Sequence, residues 1–294
     1  MTGTTIEITR PCPQRKKSSR KPAIKKALLR DLWFNFGFLT ALDREEDSID
    51  DLKRIIEINP CEAAAFFHLG CIYFRKADLA RAEYYLACAA ELEPDAPNVA
   101  FFYGTCLSMS GNQQKSVPWL EAACAASPRD HAPRFNLGIS CMILERTEEA
   151  MQHFARTLEL RPNFLPAAYN LGLYFLKNEQ PQRARHYFTT CLKIDPGFSL
   201  AWRNLTRISL GENDVQAARS KIMQGISLLP EDPGLRIDLI ALDNFERNDN
   251  GLLKILEKSL EKYPGLIPET LEKIVEFRNM VKKPVPFNLS DQIQ

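Results

Sequence analysis

The sequence predicts an all-α protein in which about seven 34-residue helix-turn-helix repeats stack and a further helix closes the C-terminal end. Three observations carry this. Seven prolines, Pro60, Pro94, Pro128, Pro162, Pro196, Pro230 and Pro264, stand 34 residues apart. Lacking an N–H, each stops a helix and turns the chain. Glycine recurs at one phase, as Gly70, Gly104, Gly138 and Gly172, although inside a helix it costs about 1 kcal/mol relative to Ala. A bulky apolar residue recurs at another phase, as Leu52, Leu86, Leu120, Phe154, Phe188, Ile222 and Leu256. A fixed period of this length signals units that bury their apolar faces only by stacking on neighbours.

Taken in order, residues 1–21 are polar and basic, broken by Pro11 and Pro13. They hold too little apolar surface to offset the cost of ordering and are expected to be disordered. A helix is expected from Pro22, with Ile24, Leu28, Leu32 and Phe36 at four-residue spacing; proline suits a first helical turn. The repeat array is expected over 22–266, with frames starting at 29, 63, 97, 131, 165, 199 and 233. Within each frame the eighth position is Gly in the middle four repeats, and the twentieth is small: Ser48, Ala82, Ser116, Ala150, Ala184 and Ala218. Small residues facing the bulky twenty-fourth position let two helix backbones approach where no Cβ fits. A capping helix is expected over 267–283, where Leu271, Ile274, Val275 and Met280 can cover the last repeat. Residues 284–294 read as a flexible tail.

The spacing is similar to that of the tetratricopeptide repeat (TPR) family. Phe66, Leu69, Gly70, Tyr73, Ala82, Leu86, Ala89 and Pro94 stand where its signature asks for them, and the resemblance covers about four fifths of the chain. The first and last frames depart, with Asn35 and Phe36 in place of Leu-Gly and with Ile240 and Asp243 at conflicting places; terminal repeats meet solvent on one face. The resemblance implies a right-handed α-solenoid whose first helices line a concave groove. It also implies which positions face that groove. The fifth holds Trp33, Phe67, Phe101, Phe135 and Tyr169, then Arg203; Ile139, Leu173 and Arg207 are at the ninth. Asn136, Asn170 and Asn204 share the sixth position, where the family uses Asn on a bound peptide backbone. The family's two-carboxylate clamp, by contrast, has no place here. Its fifth and ninth positions require Lys and Asn, and the chain offers Phe67/Cys71, Phe101/Thr105, Phe135/Ile139 and Tyr169/Leu173.

These positions give the expected function: a non-enzymatic adaptor or dedicated chaperone holding an extended or amphipathic-helical partner segment in an apolar groove. Two readings from other classes stay open. The chain carries net charge +1, yet residues 1–30 hold nine Lys or Arg against Glu7 alone, a net +8 that leaves −7 for the rest. The arm, with Arg15, Lys16, Lys17, Arg20 and Lys21, can attract nucleic acid or an anionic surface by counterion release, although no aromatics interleave for base stacking. Alternatively, apolar repeat surfaces bury one another in a homo-oligomer.

Catalysis has no foothold. His68, His131, His153 and His186 are isolated at phases expected to be solvated, and no metal or phosphate motif is present. No cofactor, metal or small-molecule substrate is expected. The eight cysteines lack CxxC spacing and read as buried reduced thiols of a cytoplasmic protein. The N-terminus has no apolar signal region, and no run reaches the roughly 18 apolar residues of a membrane span. The Asn204-Leu-Thr206 and Asn288-Leu-Ser290 sequons read as accidental.

Overall fold

The computed structural model describes residues 22–41 and 45–247. The basic arm, the second helix of the last frame, the capping helix and the tail lie outside the described residues. Those described are all-α, with thirteen helices and no strand: α1 (Pro22–Ala41), α2 (Glu45–Ile58), α3 (Ala63–Arg75), α4 (Leu79–Leu92), α5 (Pro97–Met109), α6 (Gln113–Ala126), α7 (His131–Ile143), α8 (Thr147–Leu160), α9 (Leu165–Lys177), α10 (Pro181–Ile194), α11 (Ser199–Gly211), α12 (Val215–Leu228) and α13 (Pro233–Arg247). Successive helices form antiparallel pairs of the TPR-like solenoid class. The chain divides into two units, Met1–Leu160 and Arg161–Gln294, each described here by itself.

Helix ends follow local chemistry. α2, α4, α6, α8, α10 and α12 each end two residues before a proline of the 34-residue series. Aspartates start several helices by accepting an orphan backbone N–H: Asp78 from Arg81 at 3.1 Å, Asp130 from Ala132 at 2.9 Å and Asp214 from Ala217 at 2.9 Å. The turn inside each pair has a signature of its own. Ala77, Gly111, Glu145, Glu179 and Asn213, again 34 apart, have φ of 56°, 82°, 62°, 54° and 59°. The left-handed residue lets the next amide bond back to the helix, as Asp78 N to Tyr73 O at 3.0 Å.

The N-terminal unit stacks the pairs α1–α2, α3–α4, α5–α6 and α7–α8. Gly70, Gly104 and Gly138 are where two helices meet. A Cβ there would lie 2.6 Å from Leu86, 2.9 Å from Leu120 and 2.7 Å from Phe154, so the eighth position is emptied to seat the twenty-fourth. Leu52, Phe66, Leu86, Leu120 and Phe154 are fully buried, each contributing on the order of 1.5–3 kcal/mol. Three serine hydroxyls bond in a chain: Ser140 Oγ donates to Ser108 Oγ at 2.9 Å and meets Ser116 Oγ at 2.9 Å, and Ser116 Oγ is also 2.9 Å from Gln113 O.

The C-terminal unit repeats the device. α9 and α10 close through Gly172, whose Cβ would lie 2.6 Å from Phe188. α11 packs on α12 and α13 around Leu210, Ile222 and Leu242. Arg219 pairs with Asp243, and Arg185 with Glu212. Asn204 and Thr206 are 2% and 1% exposed, so the first sequon is closed to modification.

Candidate partner-binding faces

In the N-terminal unit the odd-numbered helices bring rings together. Trp33 of α1 is half-buried, edge-on to Phe36 at 5.6 Å and to His68 at 5.9 Å. Phe36 and His68 are 4.9 Å apart. Phe67 meets His68 at 5.6 Å and Phe102 at 5.5 Å, and Phe102 also touches Phe74 and Phe101. Three helices thereby share one connected set of rings. Phe135 instead packs onto Phe154 of its own pair at 5.5 Å. Ile139 is half-buried, while Met109 and Ile143, at the ends of α5 and α7, are 59% and 39% exposed.

Phe74, expected at a neighbouring groove position, joins the set through Phe102, and Phe36, His68 and Phe102 join it although the groove expectation did not include them. The signal for His68 and Phe102 was readable: the sixth position holds Phe34, His68 and Phe102 before the asparagines begin. His68 and His153 also correct an expectation. They are half-buried rather than solvated, and burial lowers both pKa values, with Arg75 adding at His68 and Arg134 at His153. Burial pushes the Cys71 thiol up to about 12 despite the opposing charge of Arg75.

The asparagine row is engaged within the chain. Asn136 Nδ2 donates to Thr105 Oγ1 at 2.9 Å, tying α7 to α5. Asn170 Nδ2 donates to Pro166 O at 2.8 Å, and Asn204 Nδ2 to Leu200 O at 2.9 Å.

In the C-terminal unit, half-buried Tyr169 meets Phe188 at 5.9 Å and Phe198 at 5.1 Å. Burial raises its phenol pKa, against the pull of Asn204, Arg207 and Arg203. Leu173 is 4% exposed and belongs to the core of its pair, because the ninth position there is closed over by packing. Arg203 Nε donates to Asp238 Oδ2 at 2.9 Å, with side chains 22% and 15% exposed. It fastens α11 to α13. Arg207 is half-buried beside Tyr169.

Residues 67–131 and 169–233 match the family described as tetratricopeptide repeat. The chain is a tetratricopeptide repeat protein. No curated protein matches it by sequence. Among solved structures, PilF of Pseudomonas aeruginosa superposes with a TM-score of 0.58 at 17% identity, covering 76% of this chain and 99% of PilF. PilW, described as a widely conserved type IV pilus biogenesis factor, gives 0.57 at 17% identity, covering 74% and 98%. YrrB, described as a TPR protein with an unusual peptide-binding site, gives 0.53 at 21%, covering 57% and 87%. At these identities the likeness shows the fold alone. TPR proteins generally mediate protein–protein interactions and are typically non-enzymatic; no helix among the described residues is long and apolar enough to cross a membrane.

Proposed function

We propose that this TPR protein is a cytoplasmic adaptor or dedicated chaperone that holds an apolar segment of a protein partner against the odd-numbered helices of its N-terminal unit. One observation supports this above the others. The ring set of Trp33, Phe36, Phe67, His68 and Phe102 runs from α1 through α3 to α5, and exposed Met109 and Ile143 stand on α5 and α7. Rings held by neighbouring rings are rigid anchors that lose little side-chain entropy on binding. Apolar surface covered there returns roughly 25 cal/mol per Å². The cytoplasmic assignment draws on the cysteines: Cys71, Cys88, Cys106, Cys124, Cys141 and Cys191 are buried free thiols, suited to a reducing compartment.

The test pairs wild type with a Phe101→Ser/Met109→Ser/Ile143→Ser variant and a chain lacking residues 1–21. Proteins captured from lysate at high salt by wild type and by the truncated chain, but not by the triple variant, are purified and titrated calorimetrically. Binding that keeps its affinity at high salt with a negative heat-capacity change supports apolar docking. Capture that follows the basic arm and disappears with salt overturns it.

A further inference from the structure

Two members of the ring set carry polar atoms that the chain leaves unbonded. Trp33 of α1 and His68 of α3 are half-buried, edge-on to each other with ring centroids 5.9 Å apart. Among the described residues neither the indole N–H of Trp33 nor an imidazole nitrogen of His68 makes a hydrogen bond, and none of these atoms is sealed from solvent. Polar side chains further along the odd-numbered helices are used differently: Asn136 is bonded to Thr105, and Ser140 to Ser108. The rings closest to His68 are hydrocarbon, Phe36 at 4.9 Å and Phe67 at 5.6 Å. Burial, with Arg75 adding to it, lowers the His68 pKa. At neutral pH the imidazole is therefore uncharged, with one N–H donor and one acceptor nitrogen.

Water serves these atoms while the face is open. A segment that covers the face displaces it, and a buried donor or acceptor left without a partner costs more than a made hydrogen bond returns. A wholly apolar anchor, Leu or Phe, would strand the indole N–H and the imidazole together. A carboxylate would bring a charge that no cation within the ring set receives. A carboxamide would bring an acceptor oxygen and two N–H donors of its own to satisfy. A phenol matches the inventory. Its ring packs edge-on among Phe36 and Phe67, and its single hydroxyl can accept from the Trp33 indole N–H and donate to the acceptor nitrogen of His68. We infer that Trp33 and His68 form a subsite for a tyrosine side chain of the docked segment. This rests on the proposed docking function and specifies the partner's anchor.

Three capped, uncharged amphipathic peptides test it on the full chain by fluorescence anisotropy at neutral pH. One carries a central Tyr among Leu anchors, the second has Phe in place of that Tyr, and the third keeps Tyr but replaces every Leu by Ser. Wild type is expected to bind the Tyr peptide about tenfold tighter than the Phe peptide, as partnering rather than stranding a buried polar group implies. Trp33→Phe and His68→Phe each keep an aromatic ring and remove its polar atoms, so each should reduce that ratio. The double variant should abolish it. Wild type that binds the Phe peptide as tightly as the Tyr peptide, or a preference that survives in the double variant, overturns the tyrosine subsite while apolar docking stands. If neither Leu-bearing peptide binds wild type better than the Ser-substituted one, docking itself fails and the inference with it. The wild-type comparison depends on no variant, and equal thermal melts keep the variant comparisons valid.

Discussion

A Cβ built on Gly138 would lie 2.7 Å from Cε1 of Phe154 and 2.9 Å from Cδ1. Phe154 is fully buried, so its ring cannot swing away without moving the core. Gly138→Ala gains up to about 1 kcal/mol of helix propensity but incurs overpacking of typically 1–3 kcal/mol. A net loss of about 1–2 kcal/mol is expected from the urea midpoint. Gly37 of α1 is the control: nothing lies within 4 Å of its Cβ position, so Gly37→Ala should stabilise by up to about 1 kcal/mol.

The turn residues give a prediction of opposite sign. Glu145 is held at φ 62° where the equivalent residue of the preceding repeat is Gly111 at 82°. A side chain in the left-handed region costs roughly 1–2 kcal/mol, relieved in part by the freedom glycine regains when unfolded. Glu145→Gly should therefore raise stability by roughly 0.5–1 kcal/mol, and Gly111→Ala should lower it by about as much, measured by the same unfolding assay.

These two sites mark what was legible in the sequence. The glycine-to-bulky relationship follows from phase alone, because both partners lie within one repeat and the contact recurs at each copy. So do the helix stops at the prolines. The fate of groove positions is different, since it depends on what the next pair brings. Leu173 and Ile139 share the ninth position, yet Leu173 is 4% exposed and Ile139 is half-buried. Phe135 and Phe101 share the fifth, but one settles onto Phe154 and the other against Phe102. Arg203 looked like a groove cation, but Asp238, one repeat and one position further on, takes its charge.

The Arg203–Asp238 pair should matter to the C-terminal unit. Both side chains are mostly buried, so Asp238→Ala strands a guanidinium beside Gly234, whose Cβ position lies 3.2 Å from Arg203 Nη1. Removing one partner of a buried pair costs about 3–5 kcal/mol, and partial exposure here reduces that to roughly 1–3 kcal/mol. Replacing both, as Arg203→Met/Asp238→Leu, should recover most of the loss. A double variant no more stable than Asp238→Ala alone would show that the pair, rather than the stranded charge, sets the stability.

Acidification should weaken the N-terminal unit through half-buried His68 and His153. Burial first, then Arg75 at His68 and Arg134 at His153, lowers each pKa below the usual imidazole value in the folded state. The unfolded chain then binds more protons than the folded one below pH about 6.5, so stability is full above that value and falls as pH drops towards the folded pKa values. Each group adds at most about 1.4 kcal/mol per pH unit to the slope. His68→Phe puts at the sixth position the ring that Phe102 supplies one repeat later, keeping the contacts with Trp33 and Phe36 while removing the titration. Urea unfolding of wild type from pH about 7 to about 5.5, above the ordinary carboxylate range, should show stability falling with acid. His68→Phe should flatten that fall, and adding His153→Gln should flatten it further. An identical slope in all three proteins would place the pH dependence elsewhere.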